Sequence, residues 1–286
     1  MQNIDHYFAT ARERYRIRLK RLNGDPPPWT EDKVYQAWSF CNVHREHDKT
    51  TTWLREHVRS KLTGIKAVHG VVAFRWFNRI STGVIIEDLL LNGWDSKEAL
   101  RRFKLLPPDQ PLFTGAYMIK SYNGFPKRES ILENIEYAVK VLPKMYETWG
   151  TSLQGAWKDL ITIPFLGPFM SYEVICDLRW TDVLNNAEDI LTWTNPGPGC
   201  KHGLGRVFNG DPKHFTSKNK VVPAERLSSM ISMMREILDM SKDNHYWPQE
   251  WESWEMREPE MWACEYDKYV RGAKGDRLKR KYAGAI

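Results

Sequence analysis

Along most of the chain, apolar positions recur with the period of a helix. Leu153, Ala156, Trp157, Leu160 and Ile161 follow i, i+3, i+4 spacing and predict a helix with one buried face. The same reading predicts helices over 2–22, 48–62, 67–79, 129–147, 153–162, 169–178, 223–240 and 256–270. "GDPPPWTED" (24–32) stops the first of these and starts a new element with Thr30 as N-cap. "HGVVAF" and "TGVIIE" have strand-like composition but fit buried helices equally well. Loops are expected at 105–127, 194–222 and 241–256, with no internal repeat or low-complexity tract. The pattern predicts a mostly α fold: a single domain over 1–286 with room for two lobes. A basic N-terminal helix (1–22) and a basic C-terminal tail (271–286) bound it.

One stretch breaks the period. In "LITIPFLGPFMSYEVICDL" (160–178), Pro164, Gly167 and Pro168 interrupt an apolar run that resumes at once. Proline cannot continue a helix interior, whereas glycine takes φ > 0 and lets another backbone approach. The stretch therefore predicts a tight two-helix hairpin, with Pro168 in the first turn of the second helix and free N–H groups pointing outward as an anion site. It resembles the helix-hairpin-helix element of DNA glycosylases, whose loop grips a phosphate through backbone N–H groups. That pattern reads apolar-Pro-Gly-apolar-Gly, and here Phe165 replaces its first glycine.

Composition narrows the class. Apolar residues make up 42% of the 286 positions and tryptophan occurs 13 times, which suits a packed globular chain with stacking surfaces. No apolar run is long enough to span a bilayer, and the amino terminus is too charged for a signal peptide. Cys41, Cys176, Cys200 and Cys264 are widely spaced and predict free thiols, not a cysteine zinc site. Net charge is +6, concentrated in "RERYRIRLKR" (12–21) and "RGAKGDRLKRKY" (271–282), as suits a phosphate backbone.

Several constellations can carry chemistry. "FCNVHREHDKTTTWL" (40–54) gathers Asn42, His44, Arg45, Glu46, His47 and Asp48; the two histidines lack a clear third ligand, so no metal is expected. "FRWFNRI" (74–80) puts Arg75 and Asn78 one turn apart in an apolar helix, which implies a polar pocket or a structural salt bridge. "TNPGPGCKHGLGRVF" (194–208) combines four glycines with Lys201, His202 and Arg206 and reads as an anion-wrapping loop. It is not a Walker A loop; G-x-x-x-x-G-K-[ST] occurs nowhere in the chain, so a kinase of that kind is not expected. "REPEMWACEYDKYVRG" (257–272) sets Glu260, Cys264, Asp267, Lys268 and Arg271 at helical spacings, with Glu265 on a neighbouring face.

In order, "FCNVHREHDKTTTWL", "FRWFNRI", "FTGAYMI", "IPFLGPFMSYEVICDL", "PGPGCKHGLGR" and "CEYDKYVR" resemble the phage α-glutamyl/putrescinyl thymine pyrophosphorylase group, also called amino acid:DNA transferases. The helical domain associated with 5-hydroxymethyl-deoxyuridine DNA kinases is a close relative of that group. The resemblance spans about residues 35–282. It implies a helical fold related to the helix-hairpin-helix DNA glycosylases. It also implies an activity on double-stranded phage DNA in the cytoplasm of the infected bacterium. The substrate is a thymine whose methyl carries a phosphate or pyrophosphate, and an amine displaces that group. Glycine is foremost among the amines and would give Nα-glycinylthymidine. The implied partners are duplex DNA and a free amino acid, with a kinase acting earlier and room for an adduct-processing enzyme later. Neither a membrane nor a cofactor is implied.

On this resemblance Lys201, His202 and Arg206, with Arg45 or Arg75, are expected at the leaving group, and Glu46, Asp48 or Glu265 as the base. Asn42, Asn78, Tyr117 and Lys268 complete the substrate set. DNA is expected at Ile163, Phe165, Gly167 and Phe169 of the hairpin and at Arg16, Lys274, Lys279 and Arg280 of the basic ends. The rivals are a glycosylase using Asp182 or Asp189, a covalent route through Cys41 or Cys264, and a non-catalytic DNA-binding partner of a kinase.

Overall fold

The computed structural model of the chain describes residues 3–116, 118–216, 224–278 and 281. Its helices are α1 (Ile4–Leu22), α2 (Lys33–Ala37), α3 (Lys49–His57), α4 (Gly64–Phe77), α5 (Ile80–Asn92) and α6 (Ser96–Lys104) in the first half. They continue as α7 (Lys127–Tyr146), α8 (Leu153–Leu160), α9 (Gly167–Leu178), α10 (Pro198–Leu204), α11 (Ala224–Met240) and α12 (Arg257–Ala273). Tight 3-10 turns cover Arg45–His47 and Arg59–Lys61, and a wider π turn covers Gly205–Asn209. Among the described residues no strand forms; one antiparallel bridge joins Trp38 to Lys281.

The chain divides into two compact units, Met1–Asp48 with Ile190–Ile286, and Lys49–Asp189. The second unit is built around α4, which is apolar all round and therefore buried, with Val68, Val71, Val72, Phe74, Trp76 and Phe77 withdrawn from solvent. Helices α5, α7 and α9 pack on it. Each such fully buried side chain contributes about 1.5–3 kcal/mol. Both strand-like stretches are helical, "HGVVAF" in α4 and "TGVIIE" in α5. The β-branched runs are buried through contacts with other helices, which overrides their strand propensity.

The first unit has an aromatic core. Tyr7, Phe8 and Tyr15 of α1 meet Trp247, Trp254, Trp262 and Tyr266. Tyr7 Oη donates to the carbonyl of Pro259, and Trp262 Nε1 donates to the carbonyl of Tyr7, so α1 and α12 are stitched together inside that core. This accounts for much of the tryptophan excess.

Three local expectations change. The N-cap after the Pro-rich stop is Asp32, whose carboxylate accepts from Val34 and Tyr35 N–H; Thr30 Oγ1 instead accepts from Asp32 N–H and donates to Glu13. Helix α6 lies outside the predicted set, although Asp95 caps it through Lys97 and Glu98 N–H. The expected loop at 194–222 contains α10. Gly199 and Gly203 occupy one face of that helix, where a Cβ would collide with Cys264 Sγ and with the backbone of Ala263. These glycines let α10 press against α12.

Candidate functional site

Helix α12 carries Glu258, Glu260, Cys264, Glu265, Asp267 and Lys268 in the first unit. Glu265 Oε2 accepts the Cys41 N–H at 3.0 Å, and Lys268 Nζ lies 3.2 Å from the same oxygen. Lys268 also donates to the Ser39 carbonyl at 2.5 Å and sits over the Phe40 ring. Segment 39–41 is thereby clamped to α12. Beyond it the chain folds back on itself: Asn42 donates its N–H (2.9 Å) and Nδ2 (3.0 Å) to Asp48 Oδ1, and a further Nδ2 hydrogen to the His47 carbonyl. Residues 42–48 thus form a hydrogen-bonded loop around the 3-10 turn that holds Arg45 and Glu46. A regular helical face shared by Asn42, Arg45 and Asp48 does not form.

Electrostatics in this region favour a carboxyl that titrates late. Burial pushes the Asp48 carboxyl above its ordinary range, against the Asn42 N–H and the charges of Arg14 and Arg45. Arg14 was not among the expected site residues. It is buried, its Nη2 reaches the Phe40 carbonyl at 3.4 Å, and its Nη1 has no hydrogen-bond partner among the described residues. Burial lowers its pKa. Its signal in the sequence was masked by the basic run around it.

A second cluster joins α12 to the segment before it. His47 Nε2 lies 2.8 Å from Glu252 Oε1, and His44 Nδ1 lies 3.6 Å from Glu258 Oε1 and 4.0 Å from Glu252 Oε2. The His47 hydrogen bond lowers the Glu252 carboxyl. Burial alone would raise Glu258, but His44 outweighs it and the net shift is downward. The histidines were legible in the sequence; their carboxylate partners were not, because Glu252 and Glu258 lie more than 200 positions away. Among the described residues, no three His, Cys, Asp or Glu side chains converge closely enough to hold a metal ion.

Helix α10 and the π turn bring the expected leaving-group residues to α12. Arg206 Nε donates to Asp267 Oδ1 at 2.7 Å, while His202 Nδ1 stands 4.0 Å from Asp267 Oδ2. Burial lowers Lys201 from the usual lysine value. Gly197 N–H donates to Glu260 Oε1 at 3.0 Å, fixing the start of α10. Both cysteine nucleophile candidates are held as thiols. The neighbouring Glu265 carboxylate, followed by burial, raises Cys41, and burial raises Cys264.

In the second unit Arg75 is inside, 1% exposed, and grips Asp177 through Nε to Oδ2 (2.5 Å) and Nη2 to Oδ1 (2.8 Å). Its Nη1 donates to Asn78 Oδ1 at 2.6 Å and its Nη2 to Thr51 Oγ1 at 3.1 Å. Asn78 ends α4 in a left-handed conformation, φ 44°. Arg75 and Asn78 are therefore brought together by one buried network, and the guanidinium is directed at protein groups; the salt-bridge alternative describes it. The two glycosylase candidates have structural duties. Asp189 caps α8 through Ser152 Oγ, Leu153 N–H and Gln154 N–H, and Asp182 accepts the Gly64 N–H.

The hairpin forms as expected between α8 and α9. Leu166 N–H bonds the Ile163 carbonyl at 3.1 Å, closing a β-turn with Pro164 second and Phe165 third. Phe165 has φ 61° and Gly167 has φ 56°. Phe165 thus adopts the left-handed conformation that a glycine supplies at the third position of a type II turn. Ile163 is buried, and Phe169 is exposed beside the turn.

Of the basic ends, Arg16 pairs with Glu13 at 3.8 Å and lies over the Trp251 ring, while Lys274 is exposed just past α12. Tyr117, Lys279 and Arg280 lie outside the described residues.

A mostly helical protein, with a two-helix hairpin in one unit and a helix crowded with acids and cations in the other, is the class these features define. Residues 1–278 match the family described as "5-hmdU DNA kinase, helical domain", and the chain belongs to that family. A curated relative, the "5-hmdU DNA kinase" of Bacillus phage SP10, is 26% identical over 314 aligned residues, covering 97% of this chain and 48% of the relative. The chain spans about half the length of the curated relative it matches. No solved structure matches it.

Proposed function

We propose that this chain is a phage DNA-hypermodification enzyme acting on thymine whose methyl carries a phosphate or pyrophosphate. The amine nitrogen, glycine foremost, attacks the exocyclic methylene carbon as the C–O bond breaks. The leaving (pyro)phosphate takes the electron pair, and a carboxylate takes the amine proton. With glycine the product is Nα-glycinylthymidine, made in the infected bacterium.

One observation carries this reading. Residues 1–278 match the helical domain of a kinase whose name places it on 5-hmdU DNA, so a thymine modified at its methyl group is the substrate class this family favours. The base must leave the duplex to be reached. The hairpin suits the grip on a DNA phosphate, because Phe165 and Gly167 both take left-handed conformations at the short connection between α8 and α9.

Within the first unit Asp48 is our choice of base, since a carboxyl raised by burial takes a proton nearer neutral pH. Lys201 and His202 suit the leaving group better than Arg206, whose charge is already answered by Asp267. Glu265 and Lys268 position segment 39–41, and Asn42 orients Asp48.

The test is direct. Duplex DNA carrying 5-phosphomethyl- or 5-pyrophosphomethyl-deoxyuridine is incubated with the protein and glycine, other amino acids or putrescine, then digested to nucleosides for mass spectrometry. An amine adduct is expected. Abasic sites in its place would point to a glycosylase. The family description names a domain of a kinase, which favours a second reading as a non-catalytic DNA-binding partner. Duplex binding that falls steeply with salt, with no adduct from any donor, would establish that reading instead.

A further inference from the structure

The connection between α6 and α7 is unlike the rest of the surface. Leu105, Met118, Tyr122 and Phe125 are all exposed and all belong to it; Phe125 is 59% exposed. Scattered single apolar residues need no explanation, but four within one connection do. The stretch is also basic: Lys120, Lys127 and Arg128 flank the aromatics, and no acid occurs between Asp109 and Glu129. Arg128 pairs with Glu129, whereas Lys120 and Lys127 are exposed, with Lys127 Nζ over the Phe113 ring.

This tip is held in place. Phe125 N–H bonds the Tyr122 carbonyl at 3.4 Å, closing a β-turn in which Gly124, φ 81°, takes the left-handed third position. Tyr122 N–H donates to Ser130 Oγ of α7 at 2.8 Å. The Tyr122 ring meets the Phe165 ring edge-on, centroids 4.5 Å apart at 85°. Two β-turns of the second unit, 122–125 and 163–166, therefore stand side by side, joined by an aromatic contact.

We infer that Phe125 is a wedge that enters the base stack of duplex DNA while the adjoining turn 163–166 holds the phosphate backbone. An apolar ring on a pinned turn, with Lys120 and Lys127 on both sides and the Glu129 carboxylate paired with Arg128, matches the chemistry of a base step between two phosphates. Side chains of this kind unstack a step and fill the space a departing base leaves. The inference rests on the proposed reading, in which a modified base is extruded from the duplex.

The full chain, as wild type, Phe125→Ala and Phe125→Trp, is tested on duplex DNA with 5-phosphomethyl-deoxyuridine and a neighbouring 2-aminopurine. Phe125 is exposed, so melting curves are expected to coincide. Phe125→Ala keeps duplex binding and its salt slope, loses the 2-aminopurine fluorescence rise, and forms adduct about tenfold or more slowly. On a bulged duplex, where the target is already unpaired, its rate recovers towards wild type. Phe125→Trp retains activity on both. An equal defect of Phe125→Ala on both substrates, or none on the intact duplex, overturns the wedge. Wild type that binds and raises fluorescence through Phe125 but forms no adduct keeps the wedge and removes the transferase. Wild type that does not bind duplex DNA removes both.

Discussion

Arg75 and Asp177, 102 positions apart, close on each other as a two-pronged ion pair inside the second unit. Arg59 Nη1 stands 3.6 Å from the same carboxylate, so Asp177 answers two buried guanidinium groups. Removing one side strands a charge in a low-dielectric interior. Asp177→Ala is expected to cost about 3–5 kcal/mol in urea or thermal unfolding. Arg75→Met combined with Asp177→Leu is expected to cost less than the two single changes added, because the Arg75 charge leaves with its partner and only Arg59 loses the carboxylate. Additive losses would show that the pair is not coupled.

Asp48, the proposed base, offers a test that separates stability from chemistry. Its carboxyl is raised in the folded state, so the folded chain holds that proton longer than the unfolded one. The associated stability is present at low pH and declines as pH rises through the folded pKa. Asp48→Asn keeps an oxygen for the Asn42 N–H and Nδ2 and removes a buried charge. The melting temperature at neutral pH is expected to hold or rise while adduct formation is lost. A loss of both together would move Asp48 from base to scaffold.

Glu258 has the opposite sign. With His44 beside it, its carboxyl stays ionised further into acid than in the unfolded chain. The stability it contributes is present above the ordinary carboxylate range and drains as pH falls through the folded pKa. Urea midpoints measured from neutral pH downwards should fall for wild type and be flatter in that window for Glu258→Gln. Equal slopes would mean that His44 does not stabilise the ionised form.

Gly203→Ala places a methyl group into the backbone of Ala263. Separation of α10 from α12 is expected to cost about 1–3 kcal/mol, as for other overpacked contacts. It should also lower turnover through displacement of Lys201 and His202. A melting temperature equal to wild type would contradict the close packing.

Helices with a strong apolar period, such as α1, α7 and α12, were readable from the chain because one face had to be buried. Helix α10 was not, because its glycines and prolines resemble a loop until a second helix is known to press on them. The i, i+4 placement of Gly199 and Gly203 was the available signal. Among candidate residues, Asn42 with Asp48 and Glu265 with Lys268 were close enough in sequence to be paired by eye. Glu258 with His44, Arg206 with Asp267 and Asp177 with Arg75 were not, since those pairings depend on which helices meet. Phe165 was legible as a departure from a glycine pattern, and the structure gives it the backbone angle that glycine would have had.

The two units differ in how they can be made. Lys49–Asp189 is one continuous stretch, whereas the other unit needs both ends of the chain. Tyr7 cannot bury itself against Trp262 until some 250 further residues have been synthesised, since its partner lies 255 positions downstream. During translation the continuous unit can complete its core while α1, with its basic and aromatic side chains, is still waiting in water. An expression strain short of chaperones should therefore expose the first unit to aggregation well before the second.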